Sequence, residues 1–203
     1  MGEGIFNTKH ACKLDNPGRV RDLRPKELLR NVARIASGDT CIDFGSGTGM
    51  FALPMAELVG SKGRVYAIDN SEQMLAHIKS KNPPANLMLV NSDVRRTGLN
   101  NRIADMCLLA FILHEVKEPS GVIAEASRLL KPDGRLIIIE WKADFDSPGP
   151  PRKRRISREQ IEQFFGHNGV TLDNYIDWSL NHYVVSGSRK LAAGGFEPPT
   201  KGL

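Results

Sequence analysis

Long apolar runs are missing from this chain. No stretch approaches the roughly 20 consecutive apolar residues that a membrane-spanning helix needs, so no span is expected. Paired cysteines are missing too. Cys12, Cys41 and Cys107 are odd in number and form no C-x-x-C pair. Cys41 and Cys107 lie in apolar, strand-like runs, so reduced core thiols, a cytoplasmic compartment and no metal site are expected. Aromatic residues make up only 6% of the chain, which leaves few platforms for stacking nucleic-acid bases. Residues 1–6 lack a basic segment leading into an apolar one, so no signal peptide is expected. Phe6 stands where a myristoylation signal needs Ser or Thr. No internal repeat is visible.

What remains is an ordinary globular composition: 203 residues, 40% hydrophobic and 25% charged. That length accommodates one domain with a sizeable core. The expected organisation is a single domain over residues 1–190, with an N-terminal cap at about 1–24. Residues 191–203, rich in Gly and Pro, are expected to form a disordered tail. The net charge is +5, and much of the excess sits in Arg152, Lys153, Arg154, Arg155 and Arg158. Such a run is either a solvated loop and helix start or a contact for an anionic substrate or RNA.

The chain is organised around Thr40-Cys41-Ile42-Asp43-Phe44-Gly45-Ser46-Gly47-Thr48-Gly49-Met50. This reads as a β-branched strand, a glycine-rich turn and a helix from about Met50 to Leu58. Backbone N–H groups at such a helix start accept polar ligand groups, and glycines let a ligand approach closely. The dinucleotide pattern G-x-G-x-x-G/A fails here, because Met50 stands at its third position. A phosphate loop fails because no Gly-Lys-Ser/Thr follows. The acid two residues ahead of the first glycine would repel a pyrophosphate but suits a sulfonium or an α-amino group.

Strands and helices alternate along the rest of the chain. Residues 1–22 show no clear period, and Lys13 to Pro17 reads as a turn. A helix begins near Pro25, with Leu28, Leu29, Val32 and Ile35 at helical spacing. Strands are expected at Arg64 to Ile68, Leu87 to Val90, Ala104 to Leu113 and Leu136 to Ile139. Two more are expected at Val170 to Trp178 and Asn181 to Ser186. Helices are expected from Ser71, from Pro119 to Leu130 and from Ser157. This alternation implies a doubly wound, parallel α/β sheet.

Five stations fall in one order: Asp43 to Gly49, then Asp69, Ser92-Asp93, Ala110 to Val116, and Leu130 to Leu136. In this the chain resembles the class I S-adenosylmethionine-dependent methyltransferases, small-molecule branch, including the ubiquinone/menaquinone-biosynthesis type. The resemblance is strong over about residues 30–142 and looser back to 10 and on to 190. It implies a Rossmann-like α/β fold: a mostly parallel seven-stranded sheet, helices on both faces, and an antiparallel strand near the C-terminus. It also implies S-adenosylmethionine as cofactor and methyl transfer to a small-molecule acceptor by in-line displacement. Some relatives methylate thiol-bound metalloids, and the unpaired cysteines argue against that substrate.

By the same resemblance, Asp43 with Gly45, Ser46, Gly47 and Gly49 holds the methionyl end. Asp69 accepts the ribose hydroxyls, and Asn70 and Met74 flank the adenosine. Asp93 bonds the adenine amino group with the Val94 N–H nearby, and Ala110 closes the cofactor list. Each acid has a plain alternative as a turn-forming or structural residue. His114, Glu140 and His182 are the catalytic candidates, with Trp141 and Tyr183 as substrate-pocket candidates. His114 either takes a proton or holds a substrate, or it merely lines the site. Three other readings stay open: an RNA or protein methyltransferase using Arg152 to Arg158, a non-catalytic S-adenosylmethionine-binding protein, and a nicotinamide-dependent oxidoreductase.

Overall fold

A computed structural model describes residues 14–144 and 149–189. The expected 191–203 tail and most of the proposed cap therefore lie outside the described residues. Seven strands form one sheet: β1 Thr40–Phe44, β2 Arg64–Asp69, β3 Leu87–Asn91, β4 Ala104–Ala110, β5 Leu130–Trp141, β6 Val170–Asp177 and β7 His182–Arg189. Their spatial order is β3-β2-β1-β4-β5-β7-β6. β1 to β5 pair in parallel, whereas β7 runs antiparallel to both β5 and β6. This is the doubly wound sheet that the sequence pattern implies, with the antiparallel strand near the C-terminus that the family resemblance implies.

Alternation along the strands sorts the core onto two faces. Cys41, Met106, Leu108, Ile137 and Ile139 pack on one face with residues of α3 (Ala52–Val59) and α4 (Glu72–Ser80). Ile42, Phe44, Cys107, Leu109 and Ile138 pack on the other with α5 (Pro119–Leu129) and α6 (Arg158–His167). The helix starts follow local chemistry. The Ser71 side chain accepts from the Met74 amide, and Ser157 with Gln160 forms a reciprocal capping box.

The order reverses at β1, which has β2 and β3 on one side and β4 and β5 on the other. The carboxyl ends of the strands at such a switch point are where open α/β sheets bind ligands. Two short helices, α1 (Pro17–Leu23) and α2 (Pro25–Asn31), precede β1. The first falls in the stretch where the sequence shows no clear period, and it changes the reading of its start. Asn16 and Pro17, read from sequence as part of a turn, are an N-cap and a first helical residue.

β4 also ends earlier than its apolar run. Phe111 takes a left-handed backbone, with φ +59, so the chain turns out of the sheet while still apolar.

Candidate functional site

At the end of β1 the chain turns sharply through Gly45, with φ +67. A Cβ there would come within 2.8 Å of Ile112 Cδ1, a side-chain end that can shift, so it is the positive φ that favours glycine. The turn aims the Gly47 amide at Asp69, donating to Oδ2 at 2.8 Å. The Ser71 amide donates to the other oxygen at 2.9 Å. Asp69, at the end of β2, is thus clamped by two backbone amides and ties the glycine loop to the start of α4. Its burial nevertheless raises its pKa.

Asp43 is buried beneath this loop. Burial, reinforced by the negative charge of Asp69 and partly offset by the Ala52 amide, pushes its pKa up to about 8. Its Oδ2 has no hydrogen-bond partner among the described residues, and neither do the buried hydroxyls of Ser46, Thr48 and Ser92. Buried polar groups left unpaired are costly, and a cation arriving beside a buried carboxyl favours its ionised form and supplies the missing partner. A ligand carrying an ammonium group and further polar atoms fits this set.

The remaining cofactor candidates are placed as follows. Gly49 opens the helical turn, its amide donating to the Ser46 carbonyl. Asn70 is exposed, Met74 and Val94 are buried, and Ala110 is partly buried at the end of β4. Asp93 is half exposed and its carboxylate is engaged by Arg95, whose guanidinium approaches to 2.7 Å. That pairing holds its pKa down. The polar atom without a partner at this station is the Ser92 hydroxyl, a residue that sequence reasoning treated only as a neighbour of Asp93.

A second cluster lies where β4, β5 and β7 meet. Glu140 is fully buried and accepts from four donors: the Leu113 amide at 3.0 Å, the His114 amide at 3.3 Å, the His114 ring Nδ1 at 2.8 Å and the Trp141 amide at 3.3 Å. It fixes the His114 ring and leaves Nε2 without a hydrogen bond from Glu140. Glu115 approaches that nitrogen to 3.9 Å. His182 packs edge-on against Trp141 at 4.4 Å and against Phe111 at 5.1 Å between ring centroids, while Phe111 and Trp141 stand 6.0 Å apart. Burial pushes the His182 pKa down to about 4 despite the nearby Asp22, so the ring is neutral at neutral pH.

One pocket expectation is corrected. Tyr183 is buried in the core on the other face of the sheet, stacked on Tyr175 at 5.0 Å, with its hydroxyl donating to the Ile156 carbonyl. Successive side chains on a strand point to opposite faces, so His182 and Tyr183 cannot both line one pocket. Glu140 is fully buried with its oxygens committed to four donors, which sets it behind the His114 ring.

α1 crosses the mouth of both clusters as a strap, a feature without a sequence signal beyond Asn16-Pro17. At one end Asp15 meets His77 Nε2 and Lys81 Nζ, each at 2.9 Å, and Lys81 also donates to the Thr48 carbonyl of the glycine loop. At the other end Asp22 lies 3.1 Å from His182 Nδ1, and the Trp178 indole donates to the Leu23 carbonyl at 2.7 Å. Arg24 stacks over Trp178 at 4.2 Å.

The basic run divides. Arg155 is buried and donates to the carbonyls of Pro150 and Lys142, and Arg158 pairs with Glu162 at 2.8 Å. Arg152, Lys153 and Arg154 form an exposed 3-10 turn.

Residues 42–138 match a family described as a methyltransferase domain. The fold matches the crystal structure of an S-adenosylmethionine-dependent methyltransferase from Aquifex aeolicus, with a TM-score of 0.83 and 27% identity over 91% of this chain and 99% of that one. Together with the glycine loop and the buried acids, these matches support a methyltransferase domain of the class I S-adenosylmethionine-dependent kind over residues 42–138. Its sequence is 27% identical to the 2-phytyl-1,4-naphtoquinone methyltransferase of Nostoc punctiforme, over 80% of this chain and 69% of that protein. It is also 27% identical to a ubiquinone/menaquinone biosynthesis C-methyltransferase of Ectopseudomonas mendocina, over 75% of this chain and 59% of that protein. The chain thus spans well under the full length of these relatives. Among the described residues no helix is long and apolar enough to cross a membrane.

Proposed function

We propose that the protein methylates a small aromatic acceptor of the reduced-naphthoquinone kind, and that it does so in the cytoplasm. The observation that carries this reading is the His114–Glu140 pair beside three aromatic rings, one strand away from the glycine loop. The names of the two curated relatives support the acceptor class. The reduced, buried cysteines Cys41 and Cys107 support the compartment.

When bound, S-adenosylmethionine supplies an electrophilic methyl group on a sulfonium whose departing thioether is neutral. The chain's own residues then hold, orient and deprotonate. Asp43 meets the ammonium end, and Asp69, already fixed by two amides, presents its carboxylate edge to the ribose. Asp93 is available to the adenine amino group once Arg95 shares it. Phe111, Trp141 and His182 wall a flat acceptor and keep water out, which favours in-line alignment. An acceptor that gains a methyl group must lose a proton. With His114 Nδ1–H donated to Glu140, the Nε2 lone pair is the group that takes it, and Glu140 steadies the resulting imidazolium.

The engagement of Arg155 and Arg158 within the fold supports a small acceptor over RNA or a protein surface. The test is His114→Gln with a reduced 2-demethylnaphthoquinone as acceptor. Turnover should fall about 10²- to 10⁴-fold while S-adenosylhomocysteine affinity stays unchanged. Undiminished turnover would remove His114 from the mechanism.

A further inference from the structure

Arg19 lies on the strap, inside the mouth of the acceptor cluster. It is half-buried, and its guanidinium carbon stands 4.9 Å from the centre of the Phe111 ring. Among the described residues it makes no hydrogen bond and no ion pair. Glu115 and Asp15 are near enough to stabilise its charge electrostatically, but burial outweighs them and draws its pKa down. A guanidinium carries five N–H donors in a rigid fork matched to paired oxygens. Holding such a fork half-buried and unpaired, against an aromatic face, is unfavourable unless a ligand completes it.

The surroundings define what would complete it. Arg19 shares Phe111 with His182 and Trp141, so the same ring contacts both the cation and the aromatic wall. His182 also feels the Arg19 charge, which helps keep its ring neutral. The position therefore offers a flat apolar slot with one cation at its edge.

We propose that Arg19 is the acceptor-recognising residue of this enzyme and that it binds an oxyanion, carboxylate or phenolate, borne by the aromatic ring to be methylated. This rests on the methyltransferase reading above and adds to it a charge requirement on the acceptor and the residue that meets it. Because Arg19 sits on α1 between the Asp15 and Asp22 anchors, the strap carries the anion contact into place when it closes. A phenolate held this way also stays ionised, which makes the ring a better nucleophile.

The test is calorimetric titration of the full chain saturated with S-adenosylhomocysteine, using 1-naphthoate, neutral 1-naphthamide and 2,4-dinitro-1-naphtholate as probes. The wild type should bind at least one of the two anions about 10- to 100-fold more tightly than the amide, as expected for a charge-assisted contact. Which anion is preferred names the oxyanion. Arg19→Met should abolish that preference while leaving amide and S-adenosylhomocysteine affinities unchanged, and Arg19→Lys should restore part of it. Equal affinity for anions and amide, no binding of any probe, or an Arg19→Met variant that keeps the preference would overturn the proposal. Loss of S-adenosylhomocysteine binding in the wild type would instead overturn the methyltransferase reading beneath it.

Discussion

Asp43 is the residue at which folding and binding pull hardest against each other. Its pKa of about 8 in the free protein lies far above the ordinary carboxyl value of 3.8. The folded state therefore holds a proton that the unfolded chain has lost, and stability falls as pH rises from about 4 to 8. Asp43→Asn should raise the melting temperature of the free protein at pH 8 by several degrees, on the order of 1–3 kcal/mol, with little change at pH 4. An ammonium ligand favours the ionised form, so S-adenosylmethionine binding below pH 8 should release a proton. Calorimetry in buffers of different ionisation enthalpy reads this directly. Asp69 acts differently, because two amides already hold it. Asp69→Ala should weaken S-adenosylmethionine binding about 10-fold or more, with a small loss of stability, since the clamp and the ribose contact go together. Denaturation and titration of one preparation separate the two effects. These acids were legible in sequence because the Asp-x-Gly-x-Gly-x-Gly spacing and the strand-end position each have a physical reason. The Arg95 pairing of Asp93 was not, since a half-exposed carboxylate takes whichever cation its turn brings round.

Among the elements, α1 separates what sequence shows from what only structure shows. The five core strands announce themselves through apolar runs, and the helices through caps such as Ser71 and Ser157. The strap helix has seven residues and buries only Leu23, so it leaves no apolar period to read. Its anchors, Asp15 and Asp22, are ordinary surface acids until the fold brings His77, Lys81 and His182 to them. The strap should behave as a lid held by weak contacts. Exposed ion pairs contribute roughly 0–1 kcal/mol each. Asp15→Ala should therefore barely change the melting temperature yet speed release of S-adenosylhomocysteine several-fold in stopped-flow measurements. An unchanged release rate would show that the strap does not gate the cofactor. The Tyr183 correction belongs to this scale as well. One residue of strand alternation decides which of two neighbours faces the pocket, and the His182-Tyr183 pair alone does not reveal the phase.

For the whole molecule, the parallel order, the strand switch at β1 and the reversed β7 put the glycine loop and the aromatic cluster along one edge of the sheet. The repeated alternation of strands and helices made the parallel order readable from sequence, since each buried strand needs helices on both faces, whereas the reversed strand followed only from the family resemblance. The acceptor side was less readable, because its parts come from α1, β4, β5 and β7 and meet only through the fold. On this account the edge binds S-adenosylmethionine through Asp43 and Asp69, with Asp43 ionising as the ligand arrives, and does not bind a dinucleotide through its pyrophosphate. Calorimetric titration with S-adenosylmethionine, S-adenosylhomocysteine and NAD in parallel tests it most directly. Saturable binding of the first two with none of NAD is the predicted result. Preference for NAD, or no binding of any of the three, would contradict it.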